Sequence, residues 1–309
     1  MTNVNQSGPV RSTGRRLWDR PHVVLLFLLP AVIMSVMFIA YPAASSAYYS
    51  LFEWQGLGGS RQFVGLDNWH RLVEDPIIWV CVWHNIVLVI TAVFFQVPAA
   101  FVIAFLVARA FVIGRSGYRV AYFLPVILTV SVVGVLWTWI YHPQFGILNE
   151  ALRGTGLDEL ALPWLGSSKT ALPAVIVVML WRFTGFYIVL FMAAIARVPE
   201  DIYDAATVDG ANLWQLGARI VAPMLWQVIL VAVTIAVVSS IKRFDLAYIM
   251  TAGGPVHATE LLATYLFKVG ILSFNMGYGS AIATFLFLLT LALVMIQFRG
   301  MGSQQISEF

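Results

Sequence analysis

Arg182 stands alone as a charge inside one of the chain's long apolar runs. It lies about 11 residues from one end of that run and about 15 from the other, at Arg197. At about 1.5 Å of rise per helical residue its guanidinium cannot easily snorkel to water either way. Facing lipid, such a charge costs at least about 2.5–3.5 kcal/mol. It is therefore expected to face the bundle interior or an aqueous cavity. There it is either half of an internal ion pair that fixes packing or a cation presented to a passing solute. Its neighbours Trp181, Phe183 and Phe186 are either helix packing or surfaces on which a ring can stack. A second charged group, Lys242, Arg243 and Asp245, follows another apolar run. Lys242 is about 19 residues, or about 28 Å, beyond Pro223. That depth is near a membrane boundary, where a solvated cluster and a pathway-lining cluster are both open readings. Covalent chemistry has little to work with. The five histidines are scattered without metal spacing, Cys81 is the only cysteine, and no nucleophile stands beside a base. No G-x-x-x-x-G-K-[ST] phosphate loop is present.

The elements that carry these residues follow from composition. Of 309 residues, 60% are hydrophobic and 11% charged, against roughly 25% charged in soluble domains. A water-soluble chain of this length could not hide so much apolar surface, so lipid does the burying. The net charge of +3 gives no reason to expect nucleic acid. Six apolar stretches, 23–46, 85–108, 120–141, 171–196, 223–241 and 281–298, are each long enough to cross about 30 Å of hydrocarbon as a helix. They are continuously apolar rather than alternating, which points to helices and not to barrel strands. The first follows Arg15-Arg16 and runs into Ala44-Ser45-Ser46-Ala47, imitating a secretion signal. Its apolar part, about 19 residues, exceeds the roughly 7–15 of a signal core and is expected to stay as an uncleaved span. Six spans put both termini on one side. With the N-terminus inside, ten lysines and arginines fall on cytoplasmic segments and seven on outer ones, which favours cytoplasmic termini. Residues 1–20 are expected to be a disordered cytoplasmic start, 21–300 the six-span domain, and 301–309 a cytoplasmic tail.

The segment 197–223, between the fourth and fifth spans, is the most patterned part of the chain. Pro199 suits a first helical turn, and Glu200 and Asp201 suit a helix N-terminus. Ala205 and Ala206 make a small face that another surface can approach. Gly210 permits the turn that ends this short helix. A second short helix leads through Trp214, Gln215 and Ile220 to Pro223. A loop helix resting on its own bundle would account for the acidic start alone. The whole string carries more: Asp204-Ala205-Ala206, then Thr207, Val208 and Asp209, then Gly210-Ala211, closed by Ile220 and Pro223. It resembles the EAA loop of binding-protein-dependent ABC importer permeases, with Asp204 in place of the usual glutamate. The resemblance extends over nearly the whole chain. Phe27-Leu28-Leu29-Pro30, Phe63-Val64-Gly65-Leu66-Asp67-Asn68-Trp69, Tyr122-Phe123-Leu124-Pro125, Phe145-Gly146-Ile147-Leu148-Asn149, Phe244-Asp245 and Met250-Thr251-Ala252-Gly253-Gly254-Pro255 look like the carbohydrate-uptake branch, similar to maltose and glycerol-phosphate permeases.

That resemblance implies an all-α, six-span type I ABC importer permease in a bacterial or archaeal cytoplasmic (inner) membrane. It implies half of a translocation pathway for a sugar or sugar-like solute. The partners would be a second homologous permease in a heterodimer, two copies of an ATPase subunit, an extracytoplasmic solute-binding protein and membrane lipid, with no nucleic acid. ATP-Mg would sit on the ATPase; this chain would bind no cofactor or metal and would be no enzyme itself. Asp204, Ala205, Ala206, Asp209, Gly210 and Ala211 would form the ATPase-coupling element. Arg182, Phe183, Phe186, Ser240 and Arg243 match the solute-contacting positions of the maltose-type subunit. The Gly253-Gly254-Pro255 loop would face the binding protein. An ion-gradient-driven secondary transporter or channel would also explain six apolar runs and a buried arginine. It would leave the EAA-like loop unexplained, and no pair of intramembrane carboxylates is present for proton coupling.

Overall fold

The computed structural model describes residues 21–56, 60–109 and 115–301. The expected disordered start, 1–20, and residues 302–309 of the tail lie outside them. The chain divides into two units, 1–48 and 49–309, each described by itself. The described part of the first is helix α1 (Leu25–Tyr49), none of whose described residues is buried. A helix apolar on every side is stable only when something other than water surrounds it.

In the second unit, a two-residue hairpin pairs β1 (Phe52–Glu53) with β2 (Gln62–Phe63), Phe52 opposite Phe63. Then follow α2 (Asp67–Glu74) and the long α3 (Pro76–Arg109). Next come α4 (Arg115–Ile127), α5 (Val130–Ile140) and α6 (Ile147–Gly154). The buried α7 (Ala171–Ile195) leads to the short α8 (Glu200–Val208). Helix α9 starts at Leu213–Gln215 and continues through Leu216–Val221 to Ala222–Met224. The last elements are α10 (Trp226–Ile241), α11 (Asp245–Thr251), α12 (Leu262–Leu272) and α13 (Met276–Met301).

Among the described residues, five helices are long and apolar enough to cross a membrane: α1, α3, α7, the α10–α11 pair and α13. The expected third span, 120–141, is instead two helices. Pro125 lies in the last turn of α4 and supplies no N–H. Thr129 adopts extended backbone and its hydroxyl accepts from the Val132 N–H at 3.4 Å, starting α5 afresh.

Prolines also account for three wide turns. The Tyr41 N–H bonds the carbonyl of Val36, Val97 that of Ala92, and Ala222 that of Gly217, each five residues back and each just before a proline. A proline ring crowds the carbonyl four residues behind it, and one extra residue in the turn relieves the clash.

Small residues set the packing. Ala100 and Ala104 of α3 are fully buried in one core with Tyr187, Ile188 and Phe191 of α7 and Ala232 and Ala236 of α10. Between helices in lipid, close van der Waals approach replaces the hydrophobic drive. Gly185 of α7 touches α4 so closely that a Cβ would collide with the Tyr122 carbonyl. A second core joins α5, α7 and α11 through Val133, Val178 and Leu246. A third holds Leu72, Ile78, Cys81, Leu262 and Tyr278. Cys81 is fully buried there and packs as a small apolar residue. Asp75 ties this third core to the start of α3. It accepts from the Ile77 N–H at 2.9 Å and from the hydroxyls of Tyr265 and Tyr278 at 2.6 and 2.8 Å. Burial opposes its ionisation, but these bonds and the nearby Arg71 hold the carboxyl below its usual range.

Candidate functional site

A cleft of about 310 Å³ opens where α7 meets the bend between α10 and α11. Phe183 and Phe186 line it from α7, and Lys242, Arg243 and Asp245 from the bend. Of the five residues expected to contact solute, these geometries bring three together: Phe183, Phe186 and Arg243. The Arg243 guanidinium lies 4.0 Å from the centre of the Phe183 ring.

Arg182 stands behind that ring, 5.1 Å from its centre, and is only 7% exposed. Its Nη1 donates to the carbonyls of Pro125 and Val126, the latter at 3.1 Å. Both belong to the last turn of α4, where carbonyls have no partner within the helix and the helix dipole is negative. Arg182 therefore caps the broken span from a neighbouring helix, without an ion pair among the described residues. Ser240 also stays out of the cleft. It is 1% exposed, and its carbonyl accepts from Asn85 Nδ2 at 3.3 Å on the α3 side. Ser239 lines the cleft in its place. Consecutive helical residues point about 100° apart, so a one-residue difference decides the face. Tyr187 also lines the cleft and was missed. Its spacing of four from Phe183 was the signal that could have found it.

The cleft can therefore stack a flat face on phenyl rings and bond it through a guanidinium, an ammonium and one carboxylate. Among the described residues no cluster suits a metal ion.

The second site is the loop that follows α7. Pro199 precedes α8, and Glu200 and Asp201 occupy its first turn. Ile202, Tyr203 and Ala206 turn toward the core, whereas Asp201, Asp204, Ala205 and Val208 are exposed. These four fall at the i, i+3, i+4, i+7 spacing of one helical face, with Glu200 and Thr207 exposed beside it. Val208 is 88% exposed, and Trp214 on α9 is 72% exposed. Asp209 and Gly210 are exposed too, while Ala206 packs inward and Ala211 is half-buried. Gly210 has φ of 77°, with nothing near the position of a Cβ, so the backbone conformation alone demands glycine. Asn212 and Gln215 then form a reciprocal cap on α9.

Arg109, at the end of α3, anchors α8. Its Nη1 donates to both Glu200 oxygens at 3.0 and 3.2 Å, and its guanidinium lies 3.0 Å from the Tyr203 ring centre. Burial pushes the Tyr203 phenol up, against the pull of the Arg109 charge. The sequence offered no local signal for this anchor, since Arg109 and Glu200 are 91 residues apart.

The family described as the binding-protein-dependent transport system inner membrane component matches residues 20–304. The chain belongs to this family. A probable ABC transporter permease protein of Pyrococcus horikoshii is 36% identical to it, over 91% of this chain and 96% of that protein. The sulfoquinovosyl glycerol transport system permease protein of Agrobacterium fabrum is 29% identical, over 92% and 91% respectively. Among solved structures, a chain of a bacterial alginate ABC transporter, crystallised with an alginate pentasaccharide-bound periplasmic protein, has a TM-score of 0.82. It is 21% identical and covers 95% of this chain and 100% of its own length, a likeness of fold. The protein is thus a helical inner-membrane permease component of an ABC importer. Its relatives are permease subunits and not enzymes; ATP hydrolysis belongs to a separate subunit.

Proposed function

We propose that this chain forms half of a translocation pathway for a sugar or sugar-like solute, driven through α8 by a separate ATPase. The observation that carries the reading is the division of α8 into two faces. Tyr203 and Ala206 are buried against the bundle, while Asp201, Asp204, Ala205 and Val208 stand free. A helix held rigidly from behind can transmit a push received on its free face. The EAA-like string of residues 204–211 occupies that helix and its closing turn.

In this reading a second homologous permease completes the pathway as a heterodimer, and two ATPase copies hold ATP-Mg. A solute-binding protein delivers the solute from outside, at loops that include Gly253-Gly254-Pro255. Closure of the ATPase pair moves α8, α8 moves the spans, and the solute passes the cleft beside Phe183 and Arg243. The sulfoquinovosyl glycerol system of the Agrobacterium relative supports a sugar-like solute, as do the exposed rings of the cleft. The domain division expected from sequence, with coupling segment 197–223 and both termini cytoplasmic, belongs to the same proposal.

The test is ATPase pull-down together with solute uptake in reconstituted vesicles. Gly210→Val puts a β-branched residue where φ is positive, which the turn cannot accept without strain. It should uncouple hydrolysis from transport more severely than Asp204→Ala. Loss of the Asp204 charge removes a bond of about 1.5–3 kcal/mol if shielded, and less if wet. Full ATPase association and full uptake in Gly210→Val would remove α8 from the coupling role. Orientation is read by labelling: Thr2→Cys and Ser303→Cys should resist an impermeant thiol reagent in intact cells, and Gly156→Cys should react. Cys81, the only native cysteine, is fully buried and leaves the background low.

A further inference from the structure

The cleft holds more positive charge than the fold uses. Arg109 has Glu200, and Lys268 has the fully buried Glu260 at 2.5 Å. Arg182 donates through Nη1 to two carbonyls, while its buried Nε has no partner among the described residues. Arg243 differs: among the described residues it forms no ion pair and no hydrogen bond, and its guanidinium is held only against the Phe183 ring. Lys242 beside it is exposed and also without an ion pair among the described residues. Asp245 is the single acid lining the cleft. It acts on both guanidiniums from beyond ion-pair distance. Two cations, Lys242 and Arg243, therefore share the cleft with one carboxylate and the Ser239 hydroxyl, with Arg182 behind the Phe183 ring, on walls that are otherwise phenyl, phenol and aliphatic.

A guanidinium at such a place is costly unless something bonds it, because its five N–H groups are partly removed from water. A ring already covers one face of Arg243, which leaves its edge as the binding surface. That edge is a planar fork matched to a carboxylate, sulfonate or phosphate, and an anion there gains two parallel charge-assisted bonds. A neutral hydroxylated ring would stack equally well on Phe186 but would leave the charge uncompensated.

We infer that the cleft selects an anionic solute, and, resting on the sugar reading above, an acidic saccharide whose carboxylate, sulfonate or phosphate meets the edge of Arg243 while its ring stacks on the exposed Phe186. Lys242 adds a second attraction at the mouth. Arg182 reinforces the field from behind without touching the solute.

The experiment uses the complete transporter in proteoliposomes: this chain, its partner permease, the ATPase and the binding protein. Uptake is measured for glucuronate, sulfoquinovose, glucose 6-phosphate and cellobiouronic acid, against glucose, cellobiose and the non-sugar dianion succinate. At least one acidic saccharide should be carried with kcat/KM about 10-fold or more above its neutral parent, the worth of one charge-assisted contact. Arg243→Gln should raise the KM for that acid by about 10-fold and leave the KM of the neutral parent within about 2-fold. Preference for a neutral parent, or uptake of none of the acids, would overturn the inference and leave a sugar pathway possible in the first case. Uptake of succinate in place of every sugar would sink the sugar reading while the anion selectivity stands. If Arg243→Gln abolished co-purification with the partner permease, the guanidinium would belong to the subunit interface, and the inference would fail.

Discussion

Arg109 and Arg243 both lie against an aromatic ring, at 3.0 and 4.0 Å, yet they belong to opposite kinds of site. Behind α8, Arg109 has a ring below it and a carboxylate at its edge. Both interactions help to hold one helix in one place, although its buried Nη2 has no partner among the described residues. In the cleft, Arg243 has the ring and, among the described residues, no ion-pair partner at its edge. The same side chain serves as a fastener in the first case and as an open valence in the second. Charge in an apolar protein is thus informative mainly through its partners: a cation bonded within the fold reports on architecture, and one bonded to nothing within it on what must arrive. Arg182 sharpens the rule. Its mid-span position suggested a solute contact, and its two carbonyl acceptors at the end of α4 give it architectural work.

Four substitutions test this division, with stability as the readout. Arg182→Ala should have the largest effect. It strips the donor from two carbonyls at a buried helix end, and a hydrogen bond to a charged group contributes about 1.5–3 kcal/mol. A loss of about 3 kcal/mol is expected by thermal unfolding in detergent, with faster hydrogen exchange in α4. A cost no larger than that of Arg243→Ala would erase the distinction between the two arginines.

Gly210→Ala comes next. Space exists for the methyl, so only the positive φ matters, at about 1–2 kcal/mol. The loosening should be local, seen as faster exchange over α8 and α9 with the spans unchanged. Equal protection in the variant and the parent would mean that the turn does not depend on that conformation.

Arg109→Leu should cost about 1 kcal/mol. Glu200 is 69% exposed, so its ion pair is screened, and the ring contact adds a comparable amount. High salt should shrink the ion-pair share. If proteolysis within residues 200–224 were no faster than in the parent, Arg109 would not be the anchor. Arg243→Ala should be the mildest, at about 0.5 kcal/mol, the lower end for a ring contact, with its effect confined to transport. Destabilisation matching Arg109→Leu would indicate an internal partner for Arg243 and would narrow the case for an anionic solute.

Much of the scaffold was legible because its causes are local. The apolar runs could be counted along the chain, and five became long helices. The remaining run, 120–141, broke because Pro125 withdraws an N–H and Thr129 offers a cap, a contest that apolarity alone does not register. Pro199, Glu200 and Asp201 marked the start of α8, and Gly210 its end, as the structure has them. Within the cleft the reading was one residue out at Ser240, whose side of α10 packs on α3 while Ser239 faces the opening. An apolar helix carries no polar stripe to show which face is which, so its sequence leaves rotation about the axis undetermined.

What the sequence by itself determined is whatever depends on a few consecutive residues: which runs are apolar, where a proline widens a turn, and where glycine admits a positive φ. Tertiary structure alone decided which charges are spent. Arg182 meets Pro125 across 57 positions and Arg109 meets Glu200 across 91. Arg243 meets a ring on α7 and, among the described residues, no carboxylate within ion-pair distance. Pairing is a property of distance in space, and at an apolar bundle's low dielectric that distance, and not the residue type, sets what a charge does.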